Sequence, residues 1–211
     1  MRVYKFLSAF WAMDNLAKRR LKASDRDSLN DPFEFLAVDM TDDSYRKQVL
    51  DRVEYILTEK VLCCFSNAAI CPLLWAHYSE CHRGICLGFE ISDSVASSMK
   101  QVTYVDKRYT PFQIKTNDRI VELLFTKFSK WKYEDEIRAF LPRKRSAVVG
   151  ELTFVPFDED LLLKEVILGY KCSATIAEVS ANVLDYPFAV TVLRARPSLS
   201  EFKMDIATDC E

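Results

Sequence analysis

The sequence predicts a single α+β domain over residues 1–211, with mixed or antiparallel sheets and flanking helices. Three observations lead there. Helical periodicity and short β-branched or aromatic runs both occur, but without the strict strand–helix alternation of a parallel α/β fold. No repeat, low-complexity run or linker divides the 211 residues, which are enough to enclose a large core. Hydrophobic residues make up 49% of the chain and include 14 Phe, 9 Tyr and 3 Trp, a composition that folds rather than stays disordered.

Val3 to Phe6 reads as a short strand. Ser8 then caps a helix from about Ala9 to Arg20, with Phe10, Met13, Leu16 and Ala17 at helical spacing. Leu21 to Ala23 is another short strand. Ser28-Leu29-Asn30-Asp31-Pro32-Phe33 is a turn: Asn and Asp bond local backbone, Pro excludes the helix, and Phe33 can anchor the loop in the core. Asp42 or Asp43 opens a long amphipathic helix whose Val49, Val53, Ile56 and Leu57 face inward. Val61 to Ser66 is a strand, Leu73 to His82 a helix, and Gly84 to Glu90 a compact apolar strand suited to the centre of a sheet. Further strands are expected at Val102 to Val105, 134–141, 151–156, 164–168 and 188–194. Further helices are expected at Asp118 to Phe128 and about 174–184, and 196–211 reads as a patternless tail.

The net charge of −2 argues against general nucleic-acid binding, whose affinity comes from neutralising phosphates. Lys18-Arg19-Arg20 and Arg143-Lys144-Arg145 read as solvated surface. No apolar run reaches membrane-spanning length and no long apolar signal core opens the chain, which points to the cytoplasm and away from membrane partners. Cys63, Cys64, Cys71, Cys81, Cys86, Cys172 and Cys210 agree: their number is odd and five crowd one stretch, the pattern of free thiols in a reducing compartment. There is neither a G-x-G-x-x-G nor a P-loop, so a Rossmann or Walker nucleotide site is not expected.

The cysteines between 63 and 86, with His77 and His82, contain metal-binding side-chain types but no C-x-x-C pair and no histidine knuckle. No metal is therefore expected; within apolar strands cysteine acts as a small hydrophobe. The Asn30-Asp31-Pro32-Phe33-Glu34 loop is a rigid turn that could also line a cleft with Asn30 or Asp31. Ser66 can bond a ligand or its own following backbone. Trp131-Lys132-Tyr133-Glu134-Asp135-Glu136-Ile137-Arg138 reads as a strand entered from an aromatic turn. Alternation then projects Glu134 and Glu136 to one side, roughly 6 to 7 Å apart, on a face shared with Lys132 and Arg138. That face is either a salt-bridged surface or an acidic site needing a cationic partner or shifted pKa values. A developing oxocarbenium ion is one such partner, and paired carboxylates commonly cleave glycosidic bonds.

Several segments occur in a recognisable order: Tyr4-Lys5-Phe6; Asn30 through Glu34; Cys64-Phe65-Ser66; Pro72-Leu73-Leu74-Trp75-Ala76-His77-Tyr78 through His82-Arg83-Gly84-Ile85-Cys86-Leu87-Gly88-Phe89; Trp131-x-Tyr133-Glu134-x-Glu136-x-Arg138; and Glu165-Val166-Ile167-Leu168-Gly169. From residue 3 to about residue 170 they resemble the bacterial family catalogued as domain of unknown function 2971. Its members are mostly prokaryotic and intracellular, and its name carries no activity. A second resemblance is to ADP-ribosyltransferases. It rests on Tyr4-Lys5 in the first strand, Phe65-Ser66 ending a later strand before a helix, and Glu134-x-Glu136 in a still later strand. The chain departs from those enzymes at Lys5, where they usually carry Arg or His; lysine lacks arginine's bidentate fork.

What the second resemblance implies is an ADP-ribosyltransferase-like fold with NAD as substrate. Glu136 would hold the nicotinamide ribose hydroxyl and stabilise the oxocarbenium, and Glu134 would orient the acceptor. Tyr4 or Lys5 would contact NAD, Ser66 would support the nicotinamide pocket, and Asn30, Asp31, His77 and Tyr78 would complete the cleft. The reaction would transfer the ADP-ribosyl group to a macromolecule or to water. Two other readings stand beside it: a non-enzymatic binding or regulatory module with the carboxylates in ion pairs, and a metal-dependent nucleotide or nucleic-acid hydrolase.

Overall fold

The computed structural model describes residues 1–24, 26, 29–112 and 117–208; Ser28 of the expected turn and Cys210 lie outside the described residues. The strands are β1 (Arg2–Leu7), β2 (Arg20–Lys22), β3 (Lys60–Ser66), β4 (Ile85–Ile91), β5 (Lys100–Gln101), β6 (Thr103–Val105) and β7 (Thr126–Phe128). They continue with β8 (Glu136–Pro142), β9 (Ala147–Val149), β10 (Leu152–Pro156), β11 (Leu161–Leu168), β12 (Thr191–Pro197) and β13 (Met204–Ala207). The helices are α1 (Ala9–Ala17), α2 (Asp43–Glu59), α3 (Pro72–Tyr78), α4 (Asp93–Ala96), α5 (Asn117–Leu124) and α6 (Ile176–Val183).

Eight strands form one mixed sheet in the order β13-β12-β11-β4-β1-β3-β8-β5. Its pairs are antiparallel except β11 with β12, which are parallel and joined through α6. Two small sheets accompany it, β2-β10-β9 and the parallel pair β6-β7. This is the expected α+β architecture. The Gly84-to-Glu90 segment does sit centrally, as β4 between β1 and β11. Alternation on β4 sends Ile85, Leu87, Phe89 and Ile91 into a core shared with Leu16 of α1 and Val179 of α6. Cys86 faces the other side, against Phe6, Leu74 and Trp75. A third cluster joins Val49 and Val53 of α2 to Ile120, Leu123 and Leu124 of α5.

Several expectations are corrected. Helix α1 stops at Ala17 because Arg19 adopts φ 48, and its inward face is Ala12, Asn15 and Leu16; Phe10 is 70% exposed and Ala17 is also outside. Phe33 does not anchor its loop: it is 53% exposed, whereas Phe35, at φ 64, is wholly buried. Helix α3 ends at Tyr78, four residues before His82, and Glu80, Cys81 and His82 follow with φ of 50, 53 and 69. Such left-handed backbone closes a compact turn, in which Gly84 donates to the Ser79 carbonyl at 2.7 Å. Helix α5 stops at Leu124, and 126–128 is strand β7 rather than helix. The residues from Arg196 are not patternless, since β13 pairs antiparallel with β12 through Arg194 opposite Ala207. Strand pairing overrides weak local signals at β7 and β13.

Candidate functional site: a splayed sheet and a buried charge cluster

Strands β1 and β3 share a single registered pair, Tyr4 opposite Ser66. Beyond it the two strands separate. The gap becomes a cavity of about 370 Å³, lined by Lys5, Phe6 and Leu7 on one side and Cys64 and Phe65 on the other. Its size falls in the range of small-molecule clefts, roughly 300–1,000 Å³. Tyr4, Asn30, Ser66, Tyr78, Lys127, Glu134 and Glu136 also line it.

Register explains why motifs distant in sequence meet. Glu136 lies opposite Ser66, Ser66 opposite Tyr4, Tyr4 opposite Gly88, and Gly88 opposite Glu165, across β8, β3, β1, β4 and β11. Directly opposed residues share a sheet face, so this row presents one functional line. Gly88 makes room for it, because a Cβ there would sit 3.1 Å from Tyr4 Cε1 and 2.9 Å from Glu165 Oε2. Burial and then the neighbouring Glu165 carboxylate push the Tyr4 phenol up.

The two carboxylates are together but not on one strand. Glu134 ends a 3₁₀ turn, Ser129–Glu134, and Asp135 takes φ 43 before β8 begins at Glu136. Trp131, Lys132 and Tyr133 belong to that turn, so the four-residue charged face reduces to Glu136 and Arg138. What joins the acids is Lys127 of β7. Its ammonium donates to Glu134 Oε2 at 2.5 Å and Glu136 Oε2 at 3.2 Å, and lies 3.7 Å from Glu34 Oε2. Arg138, fully buried, donates through Nε to Glu136 Oε1 at 2.7 Å and through Nη2 to Glu136 Oε2 at 3.0 Å. It also donates to the Leu124 carbonyl at 2.6 Å and stands 2.7 Å from Glu34 Oε1. Tyr78 donates to Glu134 Oε1 and accepts from Asn30 Nδ2 at 2.7 Å.

Three buried carboxylates therefore share two buried cations, leaving a formal charge of −1. The electrostatics follow from who holds whom. Burial alone would raise Glu136, but Arg138 and then Lys127 hold it down to about 2. Burial prevails over Arg138 and Lys127 in Glu34 and over Lys127 in Glu134, and both carboxyls are pushed up. Lys127 is pushed up because its three carboxylates outweigh its burial. The Tyr78 phenol is raised far by burial and by Glu134. Glu136 is thus held as an anion by its cations, whereas burial pushes Glu134 the other way despite Lys127.

Of the residues expected in the cleft, Tyr4, Lys5, Asn30, Ser66, Tyr78, Glu134 and Glu136 line it; Asp31 and His77 do not. Asp31 is buried and builds the turn, accepting from the Phe33 amide at 2.9 Å. His77 turns outward to the Tyr133 hydroxyl, 2.9 Å from its Nδ1. Ser66 bonds the Ala68 carbonyl at 3.2 Å, the local backbone alternative. Sequence reasoning missed Lys127, Glu34, Trp11 and Lys22. No local signal marked Lys127, because Leu124 and Phe128 keep helical spacing across it and only pairing with β6 makes 126–128 a strand. No family model, curated protein or solved structure matches the chain.

Proposed function

We propose that this chain is a cytoplasmic, ADP-ribosyltransferase-like enzyme of the family of unknown function 2971, cleaving the nicotinamide glycosidic bond of NAD and acting on a macromolecular acceptor. One observation carries the reading: Tyr4, Ser66 and Glu136 form a continuous row at the edge of a cavity that Glu134, Tyr78 and Lys5 also line. In the proposed step the C1′–N bond of the nicotinamide ribose breaks and nicotinamide leaves with the electron pair. The net negative cluster around Glu136 stabilises the oxocarbenium ion left behind. A lone pair of the acceptor, or of water, then bonds C1′. Glu134 takes the acceptor's proton, a role suited to a carboxyl that lines the cavity and whose pKa burial has raised above its ordinary value. Tyr78 orients Glu134 through its hydroxyl.

The resident ammonium bears on the alternatives. A metal-dependent hydrolase would need the space between Glu134 and Glu136 that Lys127 occupies. A non-enzymatic binding module is favoured by one fact, that both acids already have cationic partners inside the protein. Location in the cytoplasm is supported by the six free thiols among the described residues, and no helix of these residues is long and apolar enough to cross a membrane.

The test is incubation of the purified protein with NAD, alone and with cell extract, with nicotinamide measured by mass spectrometry. Glu134→Gln and Glu136→Gln, each checked for folding by circular dichroism, are expected to lower release by about 100-fold or more. No nicotinamide release under either condition would refute the enzyme reading and leave the binding module, whose partner need not be NAD.

A further inference from the structure

The same cavity carries a second charged wall. Lys5 of β1 and Lys22 of β2 line it, both half-buried. Among the described residues neither lysine forms an ion pair, in contrast to Lys127 with its three carboxylates. Two half-buried ammonium groups without an anionic partner leave their N–H donors open to an anion that enters the cavity.

Lys22 is also positioned. Its Nζ lies 4.8 Å from the centroid of the Trp11 ring, and Trp11 in turn meets Phe10 edge-on at 5.2 Å. A cation over an aromatic face is held in place while its three N–H donors stay available to a ligand. Ser8 and Ser24 add hydroxyls to the same cavity, and Trp11 itself is part of the lining. The cavity therefore has an acidic cluster suited to sugar hydroxyls or a developing cation, and a lysine pair suited to phosphate oxygens.

We propose that Lys22, positioned by Trp11, and Lys5 form an anion subsite that binds the diphosphate of a dinucleotide. The dinucleotide's identity as NAD rests on the reading given above; the diphosphate subsite does not require turnover. Lys22 and Lys5 touch the ligand in this arrangement, and Trp11 is a positioning residue acting through Lys22.

Calorimetric titration with ADP, inorganic pyrophosphate and adenosine tests it, on the wild type and on Lys22→Gln, Lys22→Arg, Lys5→Gln, Trp11→Leu and Trp11→Phe. Each variant is first checked for an unchanged thermal transition. Lys22→Gln and Lys5→Gln are expected to weaken ADP and pyrophosphate by about tenfold or more each, leaving adenosine unchanged. Lys22→Arg and Trp11→Phe should retain binding, and Trp11→Leu should lose part of it. The affinity of the wild type for ADP should fall with added salt more steeply than that of Lys22→Gln. Equal affinity of wild type and Lys22→Gln for ADP, or no binding of ADP to the wild type, overturns the subsite. If ADP binds through Lys22 while NAD is never cleaved, the subsite stands and the NAD-cleavage reading falls. If NAD is cleaved with the same KM in Lys22→Gln, the cleavage reading stands and the subsite falls.

Discussion

Lys127→Met is the most direct probe of the buried cluster, because it deletes one charge and keeps the side chain's length. Lys127 lies 2.5 Å from Glu134, 3.2 Å from Glu136 and 3.7 Å from Glu34. At an effective dielectric near 20, each ion pair at about 3 Å attracts by roughly 5 kcal/mol. Desolvation of the ammonium offsets most of the sum over the three pairs, and the net loss is expected at about 3–5 kcal/mol, the usual cost of removing one partner of a buried ion pair. That is a large part of the ~5–15 kcal/mol that holds most domains together. The loss should also depend on pH. Without Lys127 the folded pKa values of Glu34 and Glu134, already raised by burial, would lie further above their unfolded ones, so the folded variant binds more protons and its stability falls as pH rises. Urea unfolding followed by circular dichroism at about pH 5 and about pH 8 reads both effects, with the deficit against wild type smaller at the lower pH. A loss under about 1 kcal/mol, typical of exposed pairs, would refute the reasoning. So would a loss of equal size at both pH values.

In the wild type, Glu136 is held at about 2 against an ordinary 4.5, so its stabilising share is present above the unfolded pKa and is lost as pH falls from 4.5 toward 2. The share is about 3 kcal/mol, and the stability gap between wild type and Glu136→Gln should therefore narrow across that window in acid titrations. Gly88→Ala places a Cβ 2.9 Å from Glu165 Oε2 and 3.1 Å from Tyr4 Cε1, and is expected to lower stability by about 1–3 kcal/mol in a denaturant melt; an unchanged midpoint would refute the crowding argument. In native protein, alkylation mapped by mass spectrometry should mark exposed Cys81 first. Cys63 and Cys86 are buried and burial pushes their thiols up, Cys63 to about 11, so they should react only after unfolding. Prompt labelling of Cys63 would contradict its burial.

The fold class was legible because alternation and helical spacing report burial locally. The central strand through Leu87 and the Val49–Val53 face of α2 were both readable this way. Strand β13 was not, since its pattern is short and its partner β12 supplies the stabilisation. Helix α5 was extended too far for the converse reason: Thr126-Lys127-Phe128 becomes a strand only by pairing with β6.

The site divides in the same way. Tyr4, Ser66, Tyr78 and the two acids could be picked out as chemistry-bearing residues in the sequence, and they do line one cavity. Asp31 and His77 could be picked out as well, but local geometry turned them to a loop bond and to Tyr133.

By itself, the sequence determined the α+β class, most elements of the main sheet, and the identity of the acidic pair. Only the tertiary structure decided how that pair is held. A left-handed Asp135 removes Glu134 from the strand, and Lys127 and Arg138 reach the acids from different elements. Periodicity encodes which way a side chain points relative to its own backbone. Which charges meet depends on how β7, the 3₁₀ turn, β8 and the loop bearing Glu34 pack against one another, and no local period records that.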